Sequence, residues 1–309
     1  MDIQQELQGT SGFKNLELLA KQVVEGFIAG MHKSPFHGFS SEFAEHKIYN
    51  QGESTRHIDW KLFAKTDKLF TKRYDEETNL RCHIIVDNSS SMHYPMMDSF
   101  NIDRLNKIGF SALAAASMMH ILKKQRDAVG LSIYSDAYDY YAPERGSERH
   151  HRMLIDQLEK MVLNKAKDKQ TKTYQFLHQI AEKIHRRSMI FLFTDMFEAS
   201  IENDKLFEAL RHLKYNKHEV ILFHVFDKDK EMTFDFDNSP KRFVDVETGD
   251  HINVYAENIK DTYESSVKEY FEQIRLKCGQ YQIKYVEANI NESFNKILTT
   301  YMIERQKFV

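Results

Sequence analysis

Apolar residues recur at helical spacing near the start of the chain, at Leu16, Leu18, Leu19, Val23, Val24, Phe27 and Ile28, with Lys14, Lys21 and Glu25 on the other side. The pattern predicts an amphipathic helix over about residues 12–32. Pro35 and the stretch Gly38-Phe39-Ser40-Ser41 end it. Between residues 42 and 77, aromatic and charged residues mix without a long apolar run. Alternation around Phe43, Ile48 and Tyr49, and again around Leu69, Phe70 and Tyr74, suggests strands or a hairpin there. No separate core is visible, so residues 1–79 read as an N-terminal helix and elaboration packed on a main domain of residues 80–309.

Beyond Arg81 the pattern changes to short apolar runs alternating with helical periodicity. Runs at 82–86, 128–134, 189–193, 220–226 and 283–286 read as strands. Helices are expected over 103–124, 147–163, 173–185, 205–215, 258–278 and 291–306, the first opened by Asp103 as a cap or first-turn acid. Continuous apolar strands separated by helices indicate an α/β fold, a doubly wound and mostly parallel sheet covered on both faces. Residues 233–249 read as an antiparallel hairpin near one sheet edge.

Composition narrows the function. Lys and Arg number 43 against 46 Asp and Glu, a net charge of -3, which gives no support for nucleic-acid binding. Gly is low at 11 and Pro at 4, which argues against long irregular stretches, and 22 Phe with 15 Tyr can fill a sizeable core. The two cysteines, Cys82 and Cys278, read as unpaired thiols, since Cys82 opens an apolar run. The start, Met1-Asp2-Ile3-Gln4-Gln5-Glu6, lacks the features of a signal peptide, and the apolar runs are too short to span a bilayer. A soluble, cytoplasmic protein without membrane insertion is expected.

In a doubly wound sheet, ligands bind beyond the carboxyl ends of the strands. There the sequence places Asp87-Asn88-Ser89-Ser90-Ser91, a D-x-S-x-S run, after the first strand, and Thr194-Asp195 after the strand at 189–193. Thr171 and Thr173 lie between them at the start of a helix. Two carboxylates and several hydroxyls form an all-oxygen set suited to a hard cation such as Mg²⁺. Neutral hydroxyl ligands leave such an ion with residual charge for a carboxylate from another molecule. Other chemistries find less footing. The 15 histidines show no zinc spacing, and Walker A, G-x-G-x-x-G and G-x-S-x-G runs are missing from the sequence.

The ordered set resembles the metal-ion-dependent adhesion site (MIDAS) of von Willebrand factor A domains. The resemblance implies that Asp87, Ser89 and Ser91 form the first loop, Thr171 or Thr173 the second, and Asp195 the third, around Mg²⁺, Mn²⁺ or Ca²⁺. Spacing to Leu177 favours Thr171. Upstream, Glu42-Phe43, Lys47, Tyr49, Gly52-Glu53, Arg56, Ile58-Asp59-Trp60 and Ala64-Lys65, then Asp75-Glu76-Glu77, resemble the signature of domain-of-unknown-function family fifty-eight. Together the match covers about residues 38–226. The family implies a bacterial or archaeal protein whose partner is a MoxR-type AAA+ ATPase. Lys47 and Lys65 stand where the family has arginine, and Lys169-Gln170 where glycines precede the second-loop threonine. Trp60 reads as a packing anchor, and Arg56 with Asp59 as an ion pair or a partner contact.

The expected function is a non-enzymatic, metal-dependent protein-interaction module, an adaptor or co-chaperone that presents its ion to an acidic residue of a partner, with no catalytic residues. The alternatives are a Mg²⁺-dependent phosphoester hydrolase and a scaffold with a degenerate metal site.

Overall fold

The computed structural model describes residues 15–31, 45–48, 60–73, 80–97, 104–135, 138–164, 173–196, 203–244 and 250–306. The elements in chain order begin with α1 (Leu16–Met31), β1 (Glu45–Ile48), α2 (Trp60–Thr66), β2 (Phe70–Arg73) and β3 (Arg81–Asp87). They continue with α3 (Lys107–Lys124), β4 (Ala128–Tyr134), β5 (Tyr138–Arg145), α4 (Glu148–Leu163) and α5 (Thr173–Lys183). Then come β6 (Met189–Thr194), α6 (Asn203–Tyr215), β7 (Glu219–Phe226), β8 (Pro240–Val244) and β9 (His251–Tyr255). The chain closes with α7 (Ala256–Gln280), β10 (Lys284–Asn289) and α8 (Asn295–Gln306).

The chain forms two compact units, Met1–Phe27 with Leu80–Phe308, and Ile28–Asn79 with Val309. In the larger unit a six-stranded sheet runs in the order β10-β7-β6-β3-β4-β5. All neighbours are parallel except β4 and β5. This is a doubly wound, Rossmann-type α/β architecture, consistent with the von Willebrand factor A-like fold. Buried strands are what the continuous apolar runs require: β3 is buried at every position after Arg81, and β6 throughout. One face packs Ile85, Leu192 and Leu222 against Leu177 and Ile180 of α5, Leu206 and Leu210 of α6 and Ile274 of α7. On the other lie α3 and α8, where Phe110 stacks on Phe294 at 4.7 Å and Phe191 meets Tyr301 edge-on at 5.7 Å. Cys82 and Cys278 are buried free thiols. Among the described residues no helix is long and apolar enough to cross a membrane.

Several boundaries differ from the sequence reading. The helix expected from residue 103 begins at Lys107, and Asn106 caps it by accepting from the Gly109 amide at 2.9 Å; Asp103 lies outside the described residues. The hairpin expected over 233–249 pairs instead Pro240–Val244 with His251–Tyr255, as a two-stranded sheet of its own. β5 carries Pro143 and three charged residues, so its alternation escaped the pattern. It pairs with one neighbour only, and an edge strand tolerates such a sequence.

In the smaller unit β1 pairs antiparallel with β2, Glu45 opposite Arg73 and Ile48 opposite Phe70. Trp60 opens α2 and is 62% exposed, and it meets Phe63 edge-on at 6.1 Å. Its ring is not sunk in a core as a packing anchor would be. Arg56 and Asp59 lie outside the described residues.

Candidate metal centre

The register of the sheet brings the first and third loops together. β3 and β6 are neighbours with Val86 opposite Phe193, so Asp87 and Thr194 emerge side by side at the carboxyl end. The Ser89 amide donates to Asp87 Oδ1 at 2.9 Å, the turn an aspartate after a strand favours. Thr194 Oγ1 donates to Asp87 Oδ2 at 2.8 Å and accepts from the Met196 amide at 3.1 Å, so one hydroxyl ties the two loops. Ser89 Oγ and Ser91 Oγ lie 3.1 Å apart. Met196, following Asp195, holds φ at 56°, a left-handed conformation that costs a residue with a side chain about 1 kcal/mol. Its buried side chain and a hydrogen bond from Tyr270 Oη to its carbonyl hold the turn.

Asp87 is 1% exposed and Asp195 2%. Burial, and then the negative charge of Asp195, push Asp87 up to about 7, against the opposing hydrogen bonds from Ser89 and Thr194. Two carboxylates confined together in this way have a use for a cation. The donor set, two carboxylates and two hydroxyls, is all oxygen and fits a hard divalent ion with water in its remaining positions. Among the described residues no group of three or more His, Cys, Asp or Glu is placed to hold a metal. Thr171 lies outside the described residues; Thr173 is the first residue of α5, and its side chain is not described.

The structure also brings in groups that sequence reasoning missed. Lys107, at the first turn of α3, is 1% exposed, and its Nζ donates to Asp195 Oδ2 at 2.8 Å and Glu231 Oε1 at 2.6 Å. Burial alone would lower its pKa, but the Asp195 and Glu231 charges outweigh that and raise it, so the ammonium stays charged. Burial pushes Glu231 up, with Lys107 pulling it back. His224 of β7 donates from Nε2 to the Asp195 carbonyl at 2.9 Å. A lysine amid helical residues ordinarily reads as solvated, and Glu231 sits in a polar stretch, so neither gave a signal. The signal available for Lys107 was its position at the head of an almost wholly apolar helix.

A second polar chain crosses the sheet near its amino end. His83 Nε2 lies 2.7 Å from Ser132 Oγ, and His83 Nδ1 2.6 Å from Glu144 Oε1. The distances would suit an activated serine, but Ser132 and His83 are wholly buried within their strands and no substrate could reach them. Gly130 makes room for this imidazole, since a Cβ there would lie 2.5 Å from His83 Nδ1.

Comparisons with known proteins place the chain among relatives of undefined activity. It is 24% identical over 145 residues to uncharacterised proteins of Mycobacterium tuberculosis and Mycobacterium bovis, covering 47% of this chain and 44% of each relative. The chain thus matches under half the length of the curated relatives. Among solved structures, a conserved hypothetical protein BatB from Bacteroides thetaiotaomicron aligns with TM-score 0.45 and 11% identity, over 74% of this chain and all (100%) of that one. An aerotolerance-related membrane protein from Bacteroides fragilis aligns with TM-score 0.47 and 13% identity, over 73% and 99%. The family described as "Protein of unknown function DUF58" matches residues 45–273, three quarters of the chain, and the chain belongs to that family.

Proposed function

We propose that the protein is a non-enzymatic, metal-dependent interaction module that acts in the cytoplasm. Asp87, Ser89, Ser91 and Asp195, with Thr171 or Thr173 from the second loop, would hold Mg²⁺, or Mn²⁺ or Ca²⁺ in its place. The bound ion would supply a Lewis-acidic position for an acidic residue of a partner, and the partner we propose is a MoxR-type AAA+ ATPase. The chain's own residues do the positioning. Thr194 and the Ser89 amide fix both Asp87 oxygens, and the tight turn at Met196 holds Asp195 beside them. The observation that carries the reading is the pair of buried carboxylates, Asp87 and Asp195, at the ends of adjacent strands with Ser89 and Ser91 hydroxyls beside them.

The test is titration calorimetry with Mg²⁺ and Mn²⁺ on the intact protein and on Asp87→Ala and Ser89→Ala. Saturable binding in the intact protein, lost in Asp87→Ala and weakened about tenfold or more in Ser89→Ala, is the expected result. Binding unchanged in both variants would sink the assignment. A second reading has its own observation: Lys107 already pairs with Asp195, as a scaffold with a degenerate site would require. That reading predicts no metal binding and partner capture unaffected by chelator.

A further inference from the structure

We propose that Lys107 is a built-in competitor for the metal, an ammonium that occupies the Asp195 side of the centre and yields it by falling back on Glu231. The inference rests on the metal-binding reading above and concerns how that site is regulated.

Three features of the geometry carry it. First, the ammonium is shared: Nζ lies 2.8 Å from Asp195 and 2.6 Å from Glu231, so loss of one acceptor leaves the other. Second, the fallback acceptor is fixed independently of Lys107. Glu231 Oε2 accepts from the Asp227 amide at 2.7 Å, and Tyr263 Oη donates to the Glu231 carbonyl at 3.0 Å. Its Oε1 is thus presented to Lys107 by the turn after β7, whatever Asp195 binds. Third, the lysine is anchored to the loop that supplies the serines. The Lys107 amide donates to the Tyr94 carbonyl at 3.0 Å, and Asn106 Nδ2 to the His93 carbonyl at 3.3 Å.

Charge explains the sense of the effect. Asp195 and Glu231 share one ammonium, which leaves a single negative charge over before Asp87 is counted. A divalent ion entering between Asp87 and Asp195 therefore meets a nearby positive charge at low dielectric, and repulsion reduces its affinity. The partial transfer of Lys107 to Glu231 limits that penalty. Removing the lysine takes a positive charge from beside the ion; removing Glu231 takes away the fallback acceptor and makes Lys107 a stronger competitor for Asp195.

The experiment is calorimetric titration of Mg²⁺ and Mn²⁺ into the full chain, its Lys107→Met variant and its Glu231→Gln variant, with thermal melts of each in chelator and in Mg²⁺. Lys107→Met should bind Mg²⁺ at least about tenfold more tightly than the unaltered protein. Glu231→Gln should bind it several-fold more weakly. In chelator Lys107→Met should melt at a lower temperature, because buried carboxylates lose their counter-ion, and Mg²⁺ should raise its melting temperature by more than that of the unaltered protein. A merely structural lysine would lower stability without moving the two affinities in opposite directions. Binding by the unaltered protein with no gain in Lys107→Met overturns the competitor role and leaves the metal site standing. Absence of binding in both the unaltered protein and Lys107→Met overturns the metal site and the competitor together. Should Lys107→Met fail to fold, Glu231→Gln decides: affinity equal to or above that of the unaltered protein overturns the proposal.

Discussion

His224 shows how one buried side chain can be assigned a protonation state from its neighbours. The Asp195 carbonyl can only accept, so Nε2 carries the proton, and Nδ1 is left to accept from Tyr285 Oη at 2.7 Å. Both nitrogens are satisfied in the neutral ring. Burial therefore lowers the pKa to about 4 despite the pull of Asp195. In the unfolded chain the ordinary value is about 6.5. Between those values the unfolded chain binds a proton that the folded one does not, so the contribution of His224 is full above about 6.5 and is lost as pH falls to about 4. Asp87 works the other way: its folded value is raised to about 7, so its contribution is present at low pH and lost as pH rises through 7. A raw stability profile would mix the two, and a comparison with His224→Gln separates them. Relative to that variant, the unaltered protein should lose about 3 kcal/mol between pH 7 and pH 4 in chemical denaturation. A constant difference across that range would mean that the folded ring accepts a proton. At this scale the sequence pointed to Asp87, Ser89, Ser91 and Asp195 as candidates because carboxylates and hydroxyls after strands are unusual in combination. It concealed Lys107, Glu231 and His224, whose meaning lies in contacts between residues 88 and 124 positions apart, as for Lys107, or in a ring facing a backbone carbonyl.

At the scale of elements, α3 shows why boundaries are harder to read than existence. It is buried on every side, from Lys107 through Leu122 with few exceptions, so it lacks the polar face whose phase would mark its start. Asp103 looked like the cap because it is acidic and precedes the apolar run; the residue that closes the first turn is Asn106, whose Oδ1 accepts from the Gly109 amide. Asn106→Ala should cost about 1 kcal/mol of stability by chemical denaturation, and Asn106→Asp should restore the cap but not the bond to the His93 carbonyl, and so only part of the loss. If the alanine variant matched the unaltered protein, the cap would contribute nothing and the helix start would be set by packing alone. The same reasoning covers β5, where pairing to β4 on one side only relaxed the demand for alternation, and the β8–β9 pair, whose second strand begins at His251, beyond the expected span. Helices α5 and α6 and strands β6 and β7 were legible because each buries one apolar stripe or a continuous run against the same core.

Over the molecule as a whole, the main sheet has its two ends closed by different chemistry. At the carboxyl end stand the carboxylates of the candidate centre. At the amino end, Asp127 accepts from the Leu80 amide at 3.1 Å, just ahead of β3, and receives Arg305 of α8. Arg305 also reaches Gln125, to which Tyr301 Oη donates at 2.7 Å, so the last helix is latched to the entry of the strand that carries Asp87. The alternation of apolar runs and helices announced the α/β class, but not this closure, which joins residues 178 apart. Asp127 is buried, so Arg305→Ala would take away the guanidinium its charge faces and should cost about 3 kcal/mol. Combining it with Asp127→Asn should cost less than the sum of the two single changes, since each removes the same pair. The seven residues of β3 span about 23 Å between the latch and Asp87. At that distance stability and site should separate: Arg305→Ala is expected to lower the denaturation midpoint while leaving Mg²⁺ affinity within about twofold of the unaltered protein. A loss of metal affinity much larger than that would show that β3 transmits strain along its length, and that the latch belongs to the working site rather than to the fold alone.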